Sequence, residues 1–212
     1  MFVCLPGVYG VRSDTEILLS SLAAEHMASG SHVLDVGTGT GALAVAAALR
    51  GAAVTAVDVS RLALASAFLN GLLRGRRIRV RHGDLFTPVH GRRFDLIVSN
   101  PPYVPTAPTT HDRSRTWDAG PMGRDVLDRL CRQSQRMLRP GGVVLIAQSS
   151  VADVTRTCVL LHKSGLRTEV VARSRGPFGP VVGGRAPWFE QRGLIEPGAK
   201  EEDLVVVRGV RD

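Results

Sequence analysis

The fold is decided by the stretch Ser31-His32-Val33-Leu34-Asp35-Val36-Gly37-Thr38-Gly39-Thr40-Gly41-Ala42-Leu43-Ala44-Val45. It begins with a short apolar run, passes through three glycines at alternate positions and continues as an alanine-rich helical pattern. This order predicts a buried strand, a tight turn and a helix. Glycines in such a turn allow positive φ angles and a close approach by a ligand, and the helix that follows offers unpaired N–H groups. The stretch therefore predicts a nucleotide-like ligand at the carboxyl end of a strand.

Strands and helices alternate along the rest of the chain. Further strands are predicted over 52–57, 77–81, 94–99, 143–147, 166–172 and 203–208, and helices over 13–29, 42–50, 60–74, 122–138 and 151–163. The alternation predicts an α/β fold of the Rossmann-like type, with a seven-stranded, mostly parallel sheet and helices on both faces. Residues 173–199 are rich in Gly and Pro and are predicted to be irregular. They leave no room for a full crossover helix between the last two strands, so these are expected to form an antiparallel pair at the sheet edge, with the last strand antiparallel.

The composition is that of one ordinary globular domain. Among the 212 residues, 44% are hydrophobic and 22% are charged, which predicts a single domain over 1–212, with a loop and helix at 1–30 over the ligand site. No apolar run reaches the roughly 18 residues of a membrane span, and residues 1–12 lack the pattern of a signal peptide. Three widely spaced cysteines indicate free thiols and a reducing, cytoplasmic setting without a membrane.

The net charge of +8 comes almost entirely from arginine, since the lysines are Lys163 and Lys200 alone. Such a charge is compatible with a nucleic-acid or ribosomal partner. A GC-rich genome would also enrich Arg and Ala codons together. The charge therefore leaves both explanations open.

Carboxylates at the ends of three predicted strands narrow the choice of ligand. The turn is not a P-loop, because Ala42 rather than Lys follows Gly41. A carboxylate at Asp35 disfavours a pyrophosphate and favours a ligand with a sulfonium and an ammonium group. Asp58 is placed to accept two ribose hydroxyls, and Asp84 to accept the exocyclic amine of adenine. We predict S-adenosylmethionine, held by Asp35, Gly37, Thr38, Gly39, Gly41, Asp58, Val59, Asp84 and Leu85.

The tetrapeptide Asn100-Pro101-Pro102-Tyr103 follows the fourth predicted strand. An amide nitrogen is a poor nucleophile because its lone pair is delocalised. The Asn100 side-chain oxygen and the Pro101 carbonyl can accept both of its N–H bonds and aim the lone pair at a methyl donor. The two prolines restrict the backbone, and Tyr103 offers a flat wall to a planar group. These four residues are the predicted catalytic residues, and the chemistry requires no histidine base and no metal.

The glycine turn and this tetrapeptide together resemble the class I methyltransferases that depend on S-adenosylmethionine. More closely, the chain is similar to the HemK-type glutamine N5-methyltransferases, which act on translation release factors. Residues 8–15 (VYGVRSDT) resemble the start of the short branch of that family, which lacks the N-terminal helical substrate domain, and residues 117–123 resemble its segment after the fourth strand. The resemblance adds Tyr9, Thr15 and Asn100 to the predicted cofactor contacts, since a tyrosine and an Asp-Thr pair lie over the cofactor in that branch.

The resemblance implies a protein substrate, a glutamine in the Gly-Gly-Gln loop of a release factor. The same tetrapeptide also serves planar amines, so adenine N6 or guanine N2 of an unstacked base is an alternative, with the arginines of 74–81 as phosphate contacts. A protein lysine is a third alternative. A non-enzymatic binding module is disfavoured by the intact tetrapeptide.

Two departures from the family pattern bear on substrate and partner. Gly10-Val11-Arg12 stands where the short branch usually has a proline and an acidic residue. Eukaryotic members of that branch need a small zinc-binding activator subunit, which would cover apolar surface near the third strand. Ile78 and Val80 of that strand are flanked by arginines. This pattern favours a chain without an activator, although the need for one stays open.

Overall fold

The computed structural model describes residues 2–107 and 116–212. The strands of this part of the chain are β1 (His32–Val36), β2 (Ala53–Asp58), β3 (Arg79–His82), β4 (Phe94–Ser99), β5 (Leu138–Ser149), β6 (Leu166–Pro177) and β7 (Glu201–Arg211). Its α-helices are α1 (Ser13–Ala24), α2 (Ala42–Leu49), α3 (Arg61–Leu72), α4 (Asp125–Met137), α5 (Val154–Lys163) and α6 (Pro180–Gln191).

The strands form one twisted sheet in the order β3-β2-β1-β4-β5-β7-β6. The first five are parallel to their neighbours, whereas β7 runs antiparallel to both β5 and β6. The predicted Rossmann-like fold is therefore confirmed, including the antiparallel last strand. Because β1 lies between β2 and β4, the carboxyl ends of these three parallel strands meet at one edge, where open α/β sheets bind ligands.

Helices cover both faces of the sheet, because successive residues of a buried strand point to opposite sides. Leu34 and Ile97 belong to one core, with Leu127 of α4 and Leu161 of α5. Their neighbours along the strands face the other core, which α1 and α2 cover. That second core contains Leu18, Leu22, Val33, Leu43, Val98 and Leu145.

Two local predictions are corrected by the structure. The segment 173–199 is not irregular, because β6 continues to Pro177 and is followed by α6. Pro180 suits the first turn of α6, where no N–H is needed, and Phe189 is fully buried, so burial outweighs the Gly and Pro content. The predicted helix over 122–138 begins only at Asp125.

Among residues 2–107 and 116–212, none of the helices has both the length and the apolar character that crossing a bilayer requires.

Candidate active site

A cavity of about 610 Å³ opens where β1, β2 and β4 end. This volume lies within the range of sites that hold small molecules and cofactors. The structure brings all the predicted site residues to its walls except Asp35 and Gly41. The walls include Tyr9, Thr15, Gly37, Thr38, Gly39, Asp58, Val59, Asp84, Leu85, Asn100, Pro101, Pro102 and Tyr103.

Asp35 lies beneath the glycine turn rather than in the cavity wall. Its side chain is fully buried, and its Oδ2 accepts hydrogen bonds from the Thr38 hydroxyl at 2.6 Å and from the Ala44 N–H at 3.1 Å. Asp35 therefore braces the turn against the first residues of α2. Burial raises the pKa of this carboxyl from 3.8 to about 7, since its Oδ1 has no hydrogen-bond partner within the described chain.

The raised pKa of Asp35 predicts a specific dependence of stability on pH. Between about pH 4 and pH 7 the folded chain binds more protons at this group than the unfolded chain, so the group makes the free energy of unfolding decrease as pH rises. An Asp35→Asn variant lacks this term. We therefore expect the melting temperature of the wild type to fall by several degrees relative to that of the variant between pH 4 and pH 7. A change of about 1 kcal/mol in the free energy of unfolding shifts the melting temperature by about 2–4 °C. Melting curves that differ by the same amount at every pH would contradict this expectation.

Gly41 is required by the packing of α2 against α3. It precedes α2 with a φ of +78°, and a Cβ there would lie 2.6 Å from both Cα and Cβ of Ala67 in α3. Any side chain would push α3 away from the turn. The third glycine of the motif therefore sets the distance between α2 and α3.

The carboxylate of Asp58 joins the glycine turn to the start of α3. Its Oδ2 accepts the Gly39 N–H at 3.0 Å, and its Oδ1 accepts the Ser60 N–H at 2.8 Å. Burial raises the pKa of this carboxyl above its ordinary value. Each oxygen of a carboxylate has a second lone pair. The residue can therefore hold the turn and still accept hydrogen bonds from a ligand in the cavity.

Asp84 and Leu85 follow β3 at the side of the cavity. The Asp84 carboxylate is paired with the Arg129 guanidinium of α4, and both side chains are about half exposed. Leu85 is buried with a φ of +47°, a backbone conformation that costs energy for a branched residue. This conformation places Leu85 in the cavity wall next to the Asp84 carboxylate.

The N-terminal segment 2–12 forms the roof of the cavity and is fastened by Asn70 of α3. The fully buried Asn70 side chain accepts the Val3 N–H and donates to the Val3 carbonyl, both at 2.8 Å, and also donates to the Thr40 carbonyl at 2.9 Å. A Cβ on Gly39 would lie 3.2 Å from the Tyr9 carbonyl oxygen. The segment therefore lies directly against the glycine turn.

The reacting end of the cavity is formed by Asn100 and Tyr103 together with Asp14 and Thr15 of α1. The Asn100 Nδ2 donates to the Thr15 hydroxyl oxygen at 3.3 Å, whereas its buried Oδ1 has no partner within the described chain. The Tyr103 hydroxyl donates to Asp14 Oδ2 at 2.8 Å. The residues predicted from two distant motifs thus meet at one end of the cavity.

Asp14 is the residue of this site that the sequence prediction missed. Tyr9 also donates to its Oδ2, at 2.7 Å. The resemblance marked the Asp-Thr pair, but the pattern of residues gave no signal that two tyrosines share one carboxylate. Burial and the adjacent Asp14 raise the pKa of both tyrosines, so their hydroxyls stay protonated and remain donors.

Two long segments, 103–121 and 175–202, differ in their position relative to the cavity. The first, 103–121, contributes Tyr103, Val104 and residues 116–118 to the cavity, while 108–115 lie outside the described residues. The second, 175–202, lines none of the described wall. Instead, Arg185 of α6 donates to the Pro105 carbonyl at 3.0 Å and to Asp118 at 2.6 Å. It therefore supports the first segment from behind.

Comparison with known proteins gives a consistent result. A family model described as the methyltransferase small domain matches residues 1–176. A putative protein N5-glutamine methyltransferase of Methanocaldococcus jannaschii is 36% identical over 177 residues, which cover 82% of this chain and 88% of that protein. A release factor glutamine methyltransferase of Geobacter sulfurreducens is 33% identical over 196 residues, covering 87% of this chain and 68% of that protein.

Among solved structures, the chain is similar to that of the E. cuniculi Mtq2–Trm112 complex, described as responsible for methylation of the eRF1 translation termination factor. The TM-score is 0.68 at 21% identity, with 97% of this chain and 99% of that chain covered. At this identity the likeness concerns the fold.

Proposed function

The chain belongs to the methyltransferase small domain family, and from that membership we propose that it transfers a methyl group from S-adenosylmethionine to the side-chain amide nitrogen of a glutamine in a translation release factor. The observation that carries the proposal is the buried, unpartnered Oδ1 of Asn100 in the cavity wall. A buried acceptor without a donor costs free energy. A hydrogen bond donated by a substrate N–H would remove this cost.

The residues of the cavity fit S-adenosylmethionine. Asp58 has free lone pairs for two hydroxyls, Asp84 and Leu85 form an edge suited to adenine, and the Gly39 turn leaves no side chain in the way. When bound, the cofactor supplies an electrophilic methyl group on a sulfonium. Asp35 acts indirectly in this proposal, by holding the turn in place from below.

The chain's own part in the reaction is to orient the amide. Asn100 Oδ1 and the Pro101 carbonyl accept the two N–H bonds of the target nitrogen, which directs its lone pair along the cavity. Both acceptors also favour the positive charge that develops on the nitrogen. The ring of Tyr103 is held by its hydrogen bond to Asp14 and forms a wall against the planar group.

A partner subunit on the outer side of α3 is part of the proposal. An exposed apolar surface was expected near β3, but Ile78 is buried there. The exposed apolar side chains lie at α3 instead, where five of them expose between 39% and 69% of their surface, namely Leu62, Phe68, Leu69, Leu72 and Leu73. Residues 59–83 contain several arginines and no Asp or Glu. A second copy of the chain would bring arginines against arginines. The surface therefore suits an acidic subunit with an apolar face, and the structurally similar Mtq2 is itself part of a complex with Trm112.

The experiment that tests the proposed function is methyl transfer from radiolabelled S-adenosylmethionine to four substrates in parallel: purified release factor, a Gly-Gly-Gln peptide, ribosomal RNA and DNA. We expect label on the release factor, and none on a release factor whose target Gln is replaced by Glu. Each reaction is run with and without a Trm112-type subunit, which is expected to raise the yield. Label on nucleic acid alone would replace the glutamine proposal by base methylation, which the same tetrapeptide and the arginines of 74–81 would serve.

A further inference from the structure

The carboxylate of Asp14 has all of its acceptor positions occupied by the chain itself. Oδ2 accepts the hydroxyls of Tyr9 at 2.7 Å and Tyr103 at 2.8 Å. Oδ1 accepts the Thr15 N–H at 2.6 Å and the Thr15 hydroxyl at 3.2 Å. An ionised carboxylate offers about four lone-pair sites and no donor. Asp14 is therefore saturated, and it is 4% exposed, so it cannot serve as a base for the substrate.

Saturation of Asp14 fixes the direction of the next hydrogen bond. A threonine hydroxyl has one hydrogen, and the Thr15 hydroxyl gives it to Asp14, which can only accept. Towards Asn100 the Thr15 oxygen can then only accept. The Asn100 amide must therefore turn its Nδ2 to Thr15, at 3.3 Å, and its Oδ1 away from it. This is the way in which a hydrogen-bond network decides between the two flips of an amide.

We propose that Asp14 is a positioning residue that acts through the Thr15 hydroxyl and holds the Asn100 amide with its oxygen towards the substrate. The site therefore selects a group that donates N–H bonds and rejects a group that only accepts hydrogen bonds. The opposite flip would present an NH₂ group to the substrate and would repel the N–H bonds of an amide. The Tyr103 hydroxyl donates to the same carboxylate. Asp14 therefore positions both the accepting oxygen of Asn100 and the ring of Tyr103, which forms the wall of the reacting end. The inference rests on the proposed function in that the selected group is a glutamine amide.

The test compares Thr15→Val, which keeps the shape of the side chain and removes the hydroxyl, with Thr15→Ser, which restores the hydroxyl. Binding is measured by calorimetry with S-adenosylhomocysteine present, for a Gly-Gly-Gln peptide and for its glutamate γ-methyl ester. The ester is neutral and has acceptors but no N–H in the same place. We expect the wild type and Thr15→Ser to prefer the amide by about tenfold or more, the value of one hydrogen bond. In Thr15→Val the preference should fall severalfold, because the amide of Asn100 is free to turn, and what remains of it is due to the Pro101 carbonyl.

A second readout separates a positioning role from loss of structure. NMR follows the exchange of the Asn100 side-chain amide protons with solvent. This exchange should be slow in the wild type and in Thr15→Ser, and faster in Thr15→Val and Asp14→Asn. An unchanged amide-to-ester preference and unchanged exchange in Thr15→Val would overturn the inference. If the wild type itself neither binds nor methylates a glutamine peptide, the proposed function fails instead, and the exchange rates of Asn100 still decide whether Thr15 sets its orientation.

Discussion

Replacing Asn100 by alanine is expected to lower kcat by about 10²–10³-fold, which is the typical effect of deleting one preorganised polar group that stabilises a transition state. The deleted Oδ1 is buried and has no partner within the described chain, and Asn100 is a residue of the cavity wall. Without it, one of the two N–H bonds of the target amide is unsatisfied and the lone pair is no longer directed. Radiolabelled methyl transfer under single-turnover conditions measures the effect on the chemical step itself.

Two controls make the Asn100 prediction specific. Affinity for S-adenosylhomocysteine, measured by calorimetry, should stay close to the wild-type value, because the walls at Asp58 and Asp84 are unchanged. Asn100→Asp keeps an acceptor oxygen but cannot donate to Thr15, so it should also be slow despite its similar shape. Turnover by Asn100→Ala comparable with that of the wild type would remove Asn100 from the catalytic role.

Replacing Asp58 by alanine is expected to weaken cofactor binding by about 100-fold or more. Two hydrogen bonds to a charged carboxylate contribute about 1.5–3 kcal/mol each, and 1.4 kcal/mol corresponds to a factor of ten. The variant also loses the acceptor for the Gly39 N–H, so the glycine turn is less well ordered. Calorimetric titration with S-adenosylmethionine gives the dissociation constant directly.

Asp58→Asn provides the matched control, since it keeps one accepting oxygen for the turn and loses the charge. Its dissociation constant should lie between those of the wild type and Asp58→Ala. At saturating cofactor, kcat for the Asn variant should be close to the wild-type value. An unchanged dissociation constant in Asp58→Ala would exclude this carboxylate from the cofactor site.

The family, the sheet and its antiparallel last strand could be predicted because they depend on local patterns: apolar strand runs, glycine turns and carboxylates at strand ends. Helix α6 could not be predicted in this way. Gly and Pro favour irregular structure locally, whereas the burial of Val182 and Phe189 depends on the rest of the fold. The contacts of Asp35 could not be predicted for a related reason. The motif gives its position in the chain, but only the folded turn shows that Asp35 binds Thr38 and Ala44 while Thr38 lines the cavity.

The network at Asp14 lies beyond sequence patterns altogether. Tyr9 and Tyr103 reach the same oxygen, although Tyr103 is 89 positions from Asp14 in the chain. No periodicity or spacing relates such residues. Asn70 is similar, because a single polar residue within an apolar helix gives no indication that it binds the backbone of Val3.

The roof formed by segment 2–12 connects α3 with the reacting end of the cavity. Asn70 of α3 holds the segment at Val3, and the same segment carries Tyr9, which donates to Asp14. A substitution on the outer helix can therefore disturb a carboxylate at the far end of the site through a single short stretch of backbone.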